Sequence, residues 1–354
     1  MIGNNLSITS KKFEIFSGTG GVGKTTLATS RAIDLANQGM RVLLITIAPA
    51  KRLKELMGLN DSQAGEVITL NNPFQTDQDY SIDVQLMNPQ KTFERIAIGS
   101  KCPEVLDNRI LEILTRPYGG LNEILALVEL NMQSQSGHYD TIVLDTPPGS
   151  HFLDFLDSAQ RINVFFDQSF IDIFNVVGKK LDTSSLNFGK RIFNKIVSSG
   201  VKKLLGYLNK VTGEKFVEEF IDAIVAIYKT KSSFLDALNL EKRLKNQKEA
   251  NWYLVTSVEQ SKVKEALELL QQTEGVMSEH SYVIINKCLE ETLDSWEISS
   301  ESKLSNLKET LIQKEKTIKH QLKPHFQAVL EFPEIISLSP VDHINELVLN
   351  WKKI

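Results

Sequence analysis

The 354-residue chain has two cysteines, Cys102 and Cys288, and no Cys-x-x-Cys pair. That excludes a disulfide framework and a cysteine-built zinc centre, and leaves two reduced thiols of the kind a reducing compartment keeps. No run approaches the 18 or more apolar residues of a membrane-spanning helix, and residues 1–12 are polar where a secretory signal would be apolar. A soluble, cytoplasmic protein is the expectation. There is no excess of positive charge either: the net charge is −4, which gives no global pull toward nucleic acid. Internal repeats and low-complexity tracts are also missing. What the chain does have is apolar side chains, 42% of the total, enough for a large core in one big domain or two smaller ones.

One stretch carries chemistry outright. Residues 16–28 read FSGTGGVGKTTLA, which is Gly18, four residues, then Gly23-Lys24-Thr25, the spacing of a phosphate-binding loop. Phe13, Ile15 and Phe16 predict a strand entering it; Leu27, Ala28, Ala32 and Leu35 predict a helix leaving it. The physical reason for this composition is anion binding. Gly18, Gly20, Gly21 and Gly23 let successive amides turn inward, together with the backbone of Thr19 and Val22, and the following helix adds the positive end of its dipole. Lys24 is then expected at the outer phosphates, Thr25 at a Mg²⁺ ion, and Thr26 in the first helical turn.

The rest of the chain supplies the frame. Val42–Ile47 is a continuous apolar run, as a parallel strand buried on both faces requires, and makes a βαβ unit with what precedes it. Strands are also predicted over 80–86, 139–144, 252–256, 281–285 and 328–332. Helices are predicted over 89–98, 121–132, 262–271, much of 299–322, and 344–351. The strand at 139–144 opens into Asp145-Thr-Pro-Pro-Gly-Ser-His151. In a phosphate-loop protein the carboxylate facing the metal belongs there, although an Asp at a strand end also serves as a turn or helix cap. His151 either couples this loop to neighbouring helices or is structural. The pattern as a whole predicts an α/β fold, a doubly wound and mostly parallel sheet. Its parts are a first core segment at 12–151, an inserted α-helical subdomain at 152–247, and a second core segment at 248–354.

The insertion has its own character. One apolar cluster gathers Phe165, Phe166, Phe170, Ile173, Phe174 and Val177, and a second gathers Phe188, Ile192, Ile196, Leu204, Leu205 and Leu208. Between Lys179 and Lys215 nine Lys/Arg stand against two acidic residues, a local charge of +7. Such a segment is a solvated helical face, a groove for a hydrophobic client helix, or a contact for anionic lipid through 160–215. Nucleic acid is disfavoured, because the aromatics lie with the apolar residues and no reading module is present.

Taken together, the motifs resemble the ArsA/Get-type P-loop ATPases, the family of the arsenite-pump ATPase and the tail-anchored-protein targeting factor. Residues 18–26 resemble their phosphate loop. Ile47-Ala-Pro-Ala-Lys-Arg-Leu53 is similar to their first switch, which in the bacterial branch commonly reads I-D-P-A-R-R-L, and 145–156 resembles that branch's second switch. Residues 281–287 resemble the strand whose asparagine, Asn286 here, contacts adenine; an isolated Asn at a strand end is more often a turn former. Residues 331–340 resemble the loop closing over the base. The resemblance implies ATP and Mg²⁺ as cofactors, Lys24 and Asp145 as catalytic residues, Thr25 and Asp145 at the metal, and a homodimer or a heterodimer with a paralogue. Two departures bear on the chemistry. Thr19 stands where well-known members carry a lysine that reaches the partner's phosphates, and Ala48 where the family has the aspartate that orients the attacking water. A methyl group accepts no hydrogen bond, so MgATP binding with weak or absent hydrolysis is expected, or a hydrolysis-deficient subunit acting as a scaffold or switch with an active paralogue. The family's metal-binding cysteines have no counterparts, which argues against metalloid transport.

Overall fold

The central strands are apolar along their whole length, so each is buried on both faces and must be covered by helices. In the computed structural model, which describes residues 8–47, 51–75, 79–116, 121–165, 206–207, 209–273, 275–277, 280–296, 303–337 and 339–354, they form one eight-stranded sheet. The strands are β1 (Phe13–Gly18), β2 (Val42–Thr46), β3 (Val67–Asn71), β4 (Ser81–Leu86), β5 (Thr141–Asp145), β6 (Ala250–Ser257), β7 (Tyr282–Cys288) and β8 (Ala328–Pro333). The helices begin with α1 (Lys24–Asn37), α2 (Lys51–Met57), α3 (Pro89–Gly99), α4 (Arg109–Leu114), α5 (Asn122–Gln135) and α6 (Ser150–Phe165). They continue with α7 (Glu214–Lys229), α8 (Lys231–Lys245), α9 (Gln260–Gln272), α10 (Glu290–Asp294), α11 (Lys303–Leu322) and α12 (Pro340–Trp351).

The sheet order is β3-β4-β2-β5-β1-β6-β7-β8, and every pairing is parallel except that of β3 with β4. The doubly wound, mostly parallel α/β fold expected from the sequence is therefore present. The antiparallel β3 was not among the expected strands: its side chains are at most half-buried, and a five-residue edge segment carries no strong alternation. Winding proceeds in one direction from β1 through β5, β2 and β4, and in the other through β6, β7 and β8. The carboxyl end of β1 is thus the switch point, where doubly wound sheets take their ligands.

Two units are distinguishable, Met1–Met87 with Gln133–Asp154 and Lys242–Ile354, and Asn88–Met132 with Phe155–Glu241. The first contains the sheet. Its core stacks Phe16 on Tyr253 at 4.7 Å and Tyr253 on Tyr282 at 5.4 Å, with Trp351 of α12 edge-on to Phe16 and Tyr253. Helix α1 is buried almost all round: Leu27, Ala28, Ala32, Ile33, Leu35 and Ala36 join the core, and Arg31 and Asp34 enter a polar network. In that network Arg31 reaches Glu14 at 3.3 Å and Asp34 at 2.9 Å; Tyr253 and Asn251 donate to Glu14 at 2.6 and 2.8 Å. Arg31 also lies 5.0 Å over the Trp351 ring, whose indole N–H donates to Ser30 at 2.9 Å. A buried charge is tolerated only with such partners.

The second unit is helical among the described residues. Val217, Ile221 and Ile224 give α7 a buried stripe. Asn108 accepts from the amides of Ile110 and Leu111 at 3.0 Å, capping α4, and donates to the Glu219 carbonyl at 2.9 Å. Glu129 is fully buried and receives Thr92 at 2.6 Å and the Arg95 guanidinium. The two apolar clusters and most of the basic segment at 160–215 lie outside the described residues, apart from the backbone of Phe165, and so does Ala48. No helix among the described residues is long and apolar enough to cross a membrane.

Candidate functional site

The loop after β1 has the backbone its glycines allow. Gly18 sits at φ 141° against the neighbouring strand: a methyl group there would lie 2.3 Å from the Val255 carbonyl oxygen. Gly23 sits at φ 96°, where a methyl group would meet the Asn286 amide nitrogen, also at 2.3 Å. The close approach at Gly18 has a measurable consequence. Gly18→Ala combines a strained φ with a clash against backbone, and is expected to cost about 2–4 kcal/mol in urea unfolding.

Gly23 is also the N-cap of α1, and it caps without a side chain; no acidic residue stands in the first turn. The leading amides of α1 therefore meet no side-chain acceptor, and the positive end of the helix faces outward. Gly20 and Gly21 are exposed with open space around them, whereas Val22 and Thr26 are buried. Lys24 is 8% exposed and folds back to donate to the Thr19 carbonyl at 2.8 Å. Burial pushes its ammonium down to about 8, against the opposing pull of Asp145, with Lys262 adding to the depression. A buried lysine held this way gains by meeting an anion. The Thr19 hydroxyl, 5% exposed, has no partner.

Asp145 ends β5 and is 2% exposed. Its Oδ2 accepts from Thr25 at 2.7 Å and from Thr46 at 3.2 Å, and its Oδ1 has no partner. Burial raises its pKa, and the Thr25 hydrogen bond, the Lys24 charge and the Thr46 hydrogen bond each oppose that. An orphaned buried carboxylate oxygen beside a threonine hydroxyl fits a hard divalent cation. Among the described residues no group of three or more His, Cys, Asp or Glu forms a cage, so such an ion would complete its shell with water and ligand oxygens. The strand ends are laced together: Thr146 donates its hydroxyl to the Phe16 carbonyl at 2.8 Å, and the Ile47 amide donates to the Asp145 carbonyl at 3.1 Å.

Asn286, 8% exposed, donates its amide to the Val22 carbonyl at 2.9 Å. The backbone aims it there: β7 shifts register against β8 between Ile285 and Cys288, and Lys287 takes φ 65°. Asn286 thus braces the loop. His151 is exposed, 3.9 Å from Asp154. The structure brings Gly18–Thr26, Asp145 and Asn286 to one place. Sequence reasoning missed Thr46 and Thr146; the only signal for either was its place at the end of an apolar strand.

Similarity to known proteins points the same way. The family model described as anion-transporting ATPase matches residues 11–190. The ATPase get3 of Schizosaccharomyces pombe is 31% identical over 155 residues, 44% of this chain and 45% of that protein. The ATPase GET3 of Kluyveromyces lactis is 27% identical over 239 residues, 64% of this chain and 68% of its own. The ATPase ARSA1 of Chlamydomonas reinhardtii is 29% identical over 176 residues, 42% of this chain and 22% of its own. The matched span thus runs from 22% to 68% of these relatives' lengths. All three organisms are eukaryotes, so the bacterial-branch expectation gains no support from them.

Proposed function

The chain belongs to the anion-transporting ATPase family, and from that premise we propose that it binds MgATP at the end of β1 and uses the bound state to rearrange a dimer and its helical subdomain, at 152–247, in the cytoplasm. The observation that carries this is the Thr25–Asp145 pair at 2.7 Å with Asp145 Oδ1 unpartnered, set beside Lys24 and the open end of α1. The loop amides of 18–26 take the phosphates, Lys24 neutralises the outer ones, and Thr25 with Asp145 holds the Mg²⁺. A bound Mg²⁺ draws charge from the phosphate oxygens. Asn286 fixes the loop and presents a carboxamide of the kind that pairs with an adenine edge. The dimer is a homodimer or a heterodimer with a paralogue, and 160–215 meets a hydrophobic client or a membrane surface.

The test is equilibrium binding of ATP with and without Mg²⁺. Lys24→Ala removes a charge-assisted contact and is expected to weaken ATP binding about 10- to 100-fold. Equal affinity in the variant overturns the reading.

A second reading is favoured by Ala48. With no acceptor at the position where relatives orient water, the chain is a hydrolysis-poor nucleotide-binding subunit that works beside an active paralogue. Steady-state turnover of the purified chain, measured with and without that paralogue, separates the two readings; robust turnover by the chain on its own removes the second.

A further inference from the structure

We infer that Lys262 is a second phosphate-facing cation of the site, held by Glu265 until the outermost phosphate arrives; this rests on the nucleotide reading above. The strand pairing places it. Gly18 of β1 is in register with Val255 of β6 and packs on its carbonyl, so the residues after Val255 leave the sheet beside the residues after Gly18. Strand β6 ends at Ser257 and α9 begins at Gln260, with Glu259 as an N-cap that makes no side-chain hydrogen bond. Lys262 stands in the first turn of that helix, and its charge is felt at Lys24.

Unpartnered groups stand on both strands just past the Gly18–Val255 pair. The hydroxyl of Thr19, 5% exposed, and that of Thr256, fully buried, both lack a partner. Asp145, whose charge acts on Lys24, accepts from Thr25 and Thr46 through Oδ2 alone. The Lys24 ammonium sits on the Thr19 carbonyl at 2.8 Å, so it lies at the start of the loop, beside the strand that leads into α9. Lys24 is the residue assigned to the outer phosphates, so a phosphate that meets it comes to the end of the loop that α9 adjoins.

The present partner of Lys262 is exchangeable. Glu265 lies one turn along the same helix, at 3.0 and 3.1 Å, with 46% of its side chain exposed. A pair so placed is screened by water and worth little, and a phosphate oxygen competes well with it.

Calorimetric titration of the full chain with MgATP and MgADP tests the assignment. Lys262→Gln is expected to weaken ATP about tenfold while ADP changes less than about twofold, and Lys262→Arg to restore most of the loss. Glu265→Gln, which removes the competitor, tightens ATP severalfold. A merely structural lysine would weaken both nucleotides alike and lower the melting temperature. If the wild type binds ATP and Lys262→Gln binds it equally well, or if ATP and ADP weaken together, this assignment falls and the nucleotide reading stands. If the wild type binds neither nucleotide, both fall.

Discussion

Ala48→Asp is expected to raise steady-state ATP turnover by about 10²-fold or more over the unaltered chain. The reasoning is chemical. In phosphoryl transfer the protein's contribution is positioning and electrostatics, and loss of a group that orients the nucleophile commonly costs about 10²–10⁴ in rate. The chain has a methyl group where its relatives, by the resemblance of 47–53, carry that carboxylate. The two residues before it are tied to the site. Ile47, immediately before it, donates its amide to the Asp145 carbonyl at 3.1 Å, and Thr46 donates to the Asp145 carboxylate at 3.2 Å. The chain up to Ile47 is therefore tied to the residue assigned to the metal. Phosphate release under saturating MgATP is the measurement. Ala48→Asn serves as a control for side-chain size, and Ala48→Asp with Lys24→Ala confirms that any gain arises at this site. Unchanged turnover in Ala48→Asp would move the water-orienting role elsewhere in the chain.

The second large effect concerns stability. Replacing Arg31 by Met leaves Glu14 and Asp34 buried without their cation, and removal of one partner from a buried ion pair costs about 3–5 kcal/mol. A fall in melting temperature on the order of 10 °C follows for the sheet-bearing unit. The loss has a defined pH dependence. Burial already raises the Asp34 carboxyl, and Arg31 is the strongest influence opposing it. Without Arg31 the folded state takes up a proton that the unfolded state does not hold, so the variant's deficit shrinks as pH falls and grows as it rises. Glu14→Gln combined with Arg31→Met recovers part of the stability, because the pair is then removed rather than broken. Thermal melts at pH 5 and pH 8 check all three statements; a deficit that is the same at both pH values contradicts the assignment of charge to this network.

How far the sequence foretold these features depends on how local their causes are. The loop at 18–26 was legible because its chemistry needs specific residues at fixed spacing, and strands such as β2 and β5 were legible because unbroken apolar runs have few other uses. Asp145 was legible by its place after such a run. The ion cluster was not, since Glu14 lies within an apolar strand and Arg31 and Asp34 read as the outer face of an amphipathic helix; only the packing of α12 over α1 converts that face into interior. β3 escaped because an edge strand needs just one apolar side. The role of Asn286 as a brace depends on the bulge at Lys287, a backbone event with no side-chain signature.

The place of β1 in the sheet also governs how the chain is made. Phe13 pairs with Ile142 on one side and with Ala250 on the other. At ordinary rates of synthesis, about 5–20 residues per second, the second neighbour leaves the ribosome roughly 10–50 s after the first strand. For that interval the Phe13–Gly18 run, with the phosphate loop attached, has an unsatisfied edge in the growing chain. The phosphate loop is therefore synthesised well before the strand that covers its second side, and β1 stays an open edge until β6 arrives.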